Sequence, residues 1–342
     1  VAKPELARAW RKHLDETNPL ADYPTCRLLQ LMLHEEESMI TWGEQAIAAL
    51  ARSASDAQLA QAWETHLRAF LCAAGGVAGD LSADTETPRP SPRSDGTPYV
   101  MDVIPQRDQR FIDPFNMSAQ IDNYYRDEQR PFDERIYALM YKRLREMDVP
   151  EWMAPIIYQT KGKPWDYTVD ISRQLWDEAR HAMMGEVALQ RDGLAFYTYP
   201  ISIAGSMVSN TDFTPLEAHL ILWGIEQSLM SSETGKRYER DIAQMGGDAL
   251  ASLFQDYDWA DEVLHTQIGR KWLVSEFGSR ANLQAAVQLL WERGEKSMDK
   301  LRSLSQQEEW WLTFLEDIRR RRQERNHRSH AIEEPSHDVT ST

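Results

Sequence analysis

The 342-residue chain is long for one domain, but no linker separates two globular halves, so it reads as a single elaborated domain. Apolar residues at 42% and charged residues at 27%, with 12 Trp, 12 Tyr and 13 Met, supply a large core and exclude a disordered or fibrous chain. A net charge of −16 argues against nonspecific binding to nucleic acid or an acidic membrane surface, and two cysteines, Cys26 and Cys72, exclude a disulfide framework. No segment reads as a signal peptide or reaches the roughly 18 consecutive apolar residues of a membrane span, so a cytoplasmic protein without membrane partners is expected.

Helical periodicity dominates and predicts an all-α fold. An N-terminal helical hairpin spans 24–53 and 56–76 within a first region, 1–76. A stretch rich in Pro, Ser, Asp and Gly follows at 77–116 and reads as a long loop that covers a site. A helix at 132–147 carries Ile136, Tyr137, Met140, Tyr141 and Leu144, with Pro150 marking its end. Pro164 opens a long helix that Gly193 stops. Thr214, Pro215 and Glu217 form a capping box that starts another helix, running to a turn near 245. A further helix runs over 247–277 to Gly278. C-terminal helices at 281–302 and 305–325, the latter capped by Ser305 with Glu308, fill the region 279–325. A polar tail at 326–342 is expected to be disordered.

Two of these long helices carry the same nine-residue frame, D-E-x-x-H-x-x-x-G: Asp177-Glu178-Ala-Arg-His181-Ala-Met-Met-Gly185 and Asp261-Glu262-Val-Leu-His265-Thr-Gln-Ile-Gly269. A Glu and a His three apart share one helix face, so both reach a single ion. Two such helices face to face hold two ions when each of two further helices adds one Glu. Glu226 is the single acid in the apolar run Leu220 to Met230, and it stands as far from the turn near 245 as Glu262 does on the other side. The same level count across the preceding pair of helices selects Glu134 as partner of Glu178, with Glu35, Glu36 and Glu37 as competing acids. The expected ligand set is therefore Glu134, Glu178, His181, Glu226, Glu262 and His265.

Spacing alone is cheap. Glu-x-x-His recurs at Glu324–His327 and Glu334–His337, in an arginine-rich stretch and across Pro335, where neither faces a core. The pair on apolar, centrally placed helices carries the weight, because four buried carboxylates persist only with cations or shared protons. Carboxylates with one imidazole per ion suit iron or manganese better than structural zinc. Asp177 and Asp261 each stand one turn before a His, placed to accept the ring N–H of the ligating His on the opposite helix. Arg180 offsets part of the buried charge. Gly185 and Gly269 are costly inside helices, so they serve either a cavity or close packing. Tyr137, Met184, Trp223 and Met230, from neighbouring turns, complete the candidate pocket.

With these residues in place, the chain resembles the ferritin-like di-iron carboxylate superfamily. Pro164-Trp-Asp-Tyr167 through Gln174-Leu-Trp-Asp-Glu-Ala-Arg-His-Ala-Met-Met-Gly185 is similar to uncharacterised bacterial ferritin-like proteins. More distantly, the Asp before each Glu-x-x-His resembles the bacterial multicomponent monooxygenases. The extra His of the related arylamine N-oxygenases is replaced here by Asp258. The likeness covers roughly 130–275 and implies a four-helix dimetal bundle within 117–278, with the N-terminal hairpin and C-terminal helices added. It also implies two Fe ions, or Mn with Fe, and O2 as cosubstrate. The implied activity is oxidation of a small organic molecule by hydroxylation, N-oxygenation, desaturation or oxidative cleavage. Gly185 fills the place of a radical tyrosine, which argues against radical storage. No flavin or iron–sulfur segment is present in the sequence, so electrons come from a separate ferredoxin or reductase, or from the substrate. A homodimer is compatible with the resemblance. The alternatives are metal handling or peroxide protection of the ferritin or rubrerythrin type, and a scaffold protein with a vestigial site.

Overall fold

The computed structural model describes residues 1–80 and 91–333, with side chains as far as 324. Every regular element among them is an α-helix, the class that the periodicity predicts. No helix among them is long and apolar enough to cross a membrane. Backbone contacts gather the chain into two compact units, Val1–Tyr99 and Val100–Thr342.

The first unit contains α1 (Ala2–Glu16), α2 (Tyr23–Leu50) and α3 (Ala54–Ala73). Lys3 pairs with Glu36 at 3.1 Å and Arg11 with Glu37 at 2.5 Å, tying α1 along α2. Between α2 and α3 the Ser53 hydroxyl accepts from the Asp56 N–H while the Asp56 carboxylate accepts from the Ser53 N–H. Within the predicted loop 77–116, residues 81–90 lie outside the described set, and the remainder carries no helix.

The second unit begins with α4 (Ile121–Arg126), α5 (Phe132–Arg145), α6 (Asp148–Gln159) and α7 (Trp165–Arg191). It continues through α8 (Ala204–Asp212), α9 (Pro215–Ser228), α10 (Lys236–Met245) and α11 (Ala249–Phe277), and ends with α12 (Arg280–Arg302) and α13 (Trp311–Glu333). α7 packs on α5 and α11, α9 packs on α11, and α10 fills the side between α5 and α11. The loop residues before α4 are pinned here: Arg107 forks onto Glu151 of α6 at 2.7 and 2.9 Å, and Ile203 N–H donates to the Pro114 carbonyl.

Two apolar clusters hold this unit together. One joins Tyr137 and Tyr141 of α5 to Trp311 and Phe314 of α13, and takes Ala188 and Leu189 from the end of α7 and Ala251 from the start of α11. The other takes Tyr167 and Ile171 from the start of α7 and Ile268 and Leu273 from the end of α11, packed on Trp152, Trp223 and Leu283. Each fully buried side chain of this size contributes about 1.5–3 kcal/mol. Between the clusters, the middles of α7 and α11 bury polar residues instead: Gln174, Asp177, Glu178 and His181 on one, Asp258, Asp261, Glu262 and His265 on the other.

Two breaks depart from the predicted elements and shape the site. Pro150 does not end a helix; it falls in the first turn of α6, where a missing N–H costs nothing, so a 12-residue helix fills the connection from α5 to α7. The helix capped by Thr214 stops at Ser228 rather than near 245. Gly235 donates to the Ser231 carbonyl and Lys236 to the Leu229 carbonyl, closing a turn in which a β-carbon on Gly235 would stand 2.1 Å from the Leu229 oxygen. Only glycine fits, and the turn delivers Lys236 as the first residue of α10. At the far end, α13 starts at Trp311 rather than Ser305 and continues through 333, into the segment read as a disordered tail; 334–342 lie outside the described residues.

Candidate metal centre

Two quartets of ligating groups meet midway along α7 and α11: Glu146, His181, Asp258 and Glu262 in one, and Glu178, Glu226, Glu262 and His265 in the other. In each quartet the ligating atoms lie within 4.8 Å of one another. Glu262 belongs to both. Glu178 also faces both histidines, with Oε1 3.1 Å from His265 Nδ1 and Oε2 3.4 Å from His181 Nδ1. Ligand atoms placed about 2.0–2.2 Å from a shared ion stand about 3.0–3.5 Å apart, the spacing seen here. Glu146 Oε2 is likewise 3.3 Å from His181 Nδ1, and Asp258 Oδ1 is 3.5 Å from it.

The polar atoms involved are buried and have no hydrogen-bond partner: Glu146 Oε2, Glu178 Oε1, Asp258 Oδ2, Glu262 Oε2, and Nδ1 of both histidines. Leaving one such atom unsatisfied costs about 1–3 kcal/mol, and six in one place fit a cluster completed by cations. The residues therefore suit two divalent ions held mainly by carboxylate, with one imidazole Nδ1 each.

The opposite ring nitrogens face the aspartates of the repeat, and the pairing crosses between helices. His181 Nε2 of α7 lies 3.2 Å from Asp261 Oδ2 of α11, and His265 Nε2 of α11 lies 3.5 Å from Asp177 Oδ2 of α7. Arg180 ties the crossing together, 2.7 Å from Asp177 Oδ1 and 2.6 Å from Asp261 Oδ2. Asp261 accepting from His181 Nε2–H sets the tautomer that leaves the His181 Nδ1 lone pair for an ion, and Asp177 faces His265 Nε2 at 3.5 Å. Gln174 Nε2 donates to Glu226 Oε1 at 3.1 Å and fixes that carboxylate.

Five of the predicted ligands, Glu178, His181, Glu226, Glu262 and His265, come together in the quartets. Glu134 does not. It lies at the start of α5, bound to Arg130 and 3.6 Å from Arg319, while Glu146, the residue that caps the other end of α5, takes the fourth-helix position. The level count fails because it assumes a short turn between two helices, and α6 intervenes. Twelve residues of helix displace the ligand by about 18 Å. Glu36 and Glu37 are engaged by Lys3 and Arg11 in the first unit. The tail pairs Glu324–His327 and Glu334–His337 fall partly or wholly outside the described residues.

The repeat glycines and most of the candidate pocket are packing positions. A β-carbon on Gly185 would meet the Leu144 backbone at 2.4 Å, and one on Gly269 would meet Trp223 Cδ1 at 2.1 Å. Both glycines admit a neighbour rather than open a cavity. Tyr137 is buried against Phe314 with its hydroxyl 3.4 Å from Asp192, Met184 and Trp223 are buried, and Met230 is half-buried beyond the end of α9.

Besides Glu146, three residues of the centre escape the sequence reading. Asp258 shares the face of Glu262 and His265, a signal that periodicity does carry. Arg143 and Lys236 are fully buried cations that converge on the first quartet. Lys236 Nζ lies 2.7 Å from Asp258 Oδ1, 2.9 Å from Glu262 Oε1 and 3.7 Å from Glu146 Oε1. Arg143 binds Asp258 and lies 2.9 Å from Glu146 Oε1.

Burial and these charges divide the carboxylates without following the quartets: burial raises Asp258 and Glu226, while the cations and histidines around them hold Glu146, Glu178 and Glu262 low. Burial would raise Glu146, but Arg143 and Lys236 outweigh it and hold the carboxyl down at about 2. Burial, with the Glu262 and Glu178 carboxylates facing it, pushes Glu226 well above the usual range. Against its own burial, Glu262 is held well below that range by Lys236 and by bonds from Glu226 and His265. Glu226 thus tends to keep its proton beside an ionised Glu262. No family model, curated protein or solved structure matches this chain.

Proposed function

We propose that the chain is a non-haem dimetal oxidoreductase of ferritin-like, four-helix arrangement that uses O2 to oxidise a small organic substrate. The observation that carries this reading is the pair of quartets joined through Glu262, drawn from α5, α7, α9 and α11. Glu146, Glu178, His181, Glu226, Asp258, Glu262 and His265 would hold two Fe ions, or Mn with Fe, and such a centre supplies reduction of O2 to an oxidant.

The protein's own contribution is orientation and dryness. The crossed Asp–His pairs fix the imidazole rings, Gln174 fixes Glu226, and every carboxylate and imidazole of the second quartet has a side chain at most 3% exposed. In the first quartet Glu146 has a side chain 15% exposed, with its Oε2 buried, and His181 and Asp258 are fully buried. Few ligands are neutral, and a carboxylate-rich set stabilises oxidised ions and shifts between binding modes. Electrons would come from a separate ferredoxin or reductase, or from the substrate.

Anaerobic reconstitution with Fe(II), metal counting, and optical and Mössbauer spectroscopy before and after O2 test the proposal. Saturation at two ions per chain, with an O2-dependent spectral change, is expected. Uptake of many ions per chain would favour a ferritin-type store, and indifference to Fe(II) would favour a vestigial site.

A further inference from the structure

The two quartets look alike in ligands and differ sharply in charge. Glu146, Asp258 and Glu262 of the first surround the Lys236 ammonium, and Arg143 adds a second cation. Among the described residues, no Lys or Arg pairs with Glu178 or Glu226 of the second, whose only ion-pair partners are the histidines. Among the described residues, the contact of shared Glu262 with Lys236 is the one direct ion pair between a carboxylate of the second quartet and a Lys or Arg.

Lys236 is held in place. It starts α10 directly after Gly235, whose turn leaves no room for a β-carbon, and its side chain is fully buried. Nζ meets two carboxylate oxygens at hydrogen-bond distance and a third at 3.7 Å, all three from one quartet. An ammonium so placed does for those carboxylates what a metal ion would do, and a divalent ion arriving there meets a like charge.

We propose that the Lys236 ammonium is a built-in cation of the first quartet. The centre then fills in a fixed order: one ion enters Glu178–Glu226–Glu262–His265, and the second enters the other quartet at least about 100-fold more weakly. The inference rests on the reading of the quartets as a metal centre.

Anaerobic Mn(II) titration of the full chain, with free Mn(II) followed by electron paramagnetic resonance, tests it. The wild type should bind one ion tightly and a second at least about 100-fold more weakly. Lys236→Met should close the gap to under about tenfold, and Lys236→Arg, which keeps the charge, should preserve it. Two further variants leave Lys236 in place, so the test survives a misfolded Met variant. Glu226→Gln should remove the tight ion and spare the weak one, whereas Glu146→Gln should do the reverse. Two ions of equal affinity in the wild type, or a gap unmoved in a folded Lys236→Met variant, would overturn the inference while leaving the metal centre standing. Absence of any binding in wild type and variants would overturn the metal centre itself.

Discussion

Replacing Gly185 by alanine tests how closely α5 and α7 approach and what that approach holds in place. In an unobstructed helix interior, Gly→Ala stabilises by about 1 kcal/mol. Here the added carbon would lie 2.4 Å from Leu144 N and 2.7 Å from its Cα. Ordinary contact begins at 3.4 Å, so α5 must retreat by about 1 Å. The obstacle is backbone, Leu144 is fully buried, and no side-chain rotation relieves it. Overpacking of this kind costs typically 1–3 kcal/mol, and against the helix gain a net loss of up to about 2 kcal/mol is expected. Glu146 sits two residues past Leu144, and ligand distances tolerate only about 0.2 Å, so the same retreat removes it from the first quartet. The second quartet, drawn from α7, α9 and α11, keeps its ion. Urea unfolding of the apo protein and Mn(II) counting by metal analysis report the two effects, and a fall from two ions to one is expected. A variant about 1 kcal/mol more stable than the parent, with both ions retained, would refute the close approach.

Glu262→Gln should abolish both ions, because both quartets need that carboxylate, whereas Glu226→Gln should cost only one; metal analysis after dialysis distinguishes the two outcomes. Glu134→Ala removes ion pairs to Arg130 and Arg319, which are 32% and 43% exposed, so it should cost under about 1 kcal/mol and leave metal content unchanged. Loss of an ion from that variant would restore Glu134 to the ligand set. His219 is buried beside the Tyr167 hydroxyl at 3.3 Å, and burial, aided by Lys163, holds its imidazole down at about 3, against 6.5 when unfolded. As pH falls below 6.5 the unfolded chain takes a proton that the folded one refuses, so stability present above 6.5 drains by about 1.4 kcal/mol per pH unit toward pH 3. His219→Phe should flatten the pH dependence of urea stability between about pH 6.5 and 5, and an undiminished slope would show that His219 is protonated in the fold.

Residues on uninterrupted helices were legible in the sequence because one period fixes their face. Glu178, His181, Glu262 and His265 sit well inside α7 and α11, and Glu226 falls in the last turn of α9, still on its helical face although the helix stops two residues later. Asp258 obeys the same period, one turn before Glu262, and that period brings it into the first quartet. Glu146 was not legible, because it caps α5 at a junction with a helix whose presence Pro150 seemed to forbid; proline stops a helix interior but suits a first turn. The break before Lys236 was hidden for a different reason. Its cause is the space around Gly235, a property of the folded turn, and glycine in a helical run announces only that a break is permitted.

The repeat itself predicts a symmetric centre, with Asp, Glu and His supplied in register from α7 and α11 and braced across by Arg180. Symmetry is lost through the neighbours that are not repeated. α5 and α10 bring Arg143 and Lys236 to one side, and α9 brings Glu226, held by Gln174, to the other. Identical ligand types therefore sit in unequal fields: a carboxylate held at about 2 on the cationic side, and one pushed well above its usual range on the other. Electrostatic compensation is chosen by whatever packs nearby in space, and no spacing rule along one helix encodes it. Exposure does not separate the two sides: Glu146 alone among the ligating side chains exceeds 3%, at 15%, while His181, Asp258, Arg143 and Lys236 around it are fully buried. On the proposed order of filling, an ion on the cationic side would be the more weakly held, and one on the other would be enclosed by three carboxylates whose contact with a permanent cation runs through Glu262.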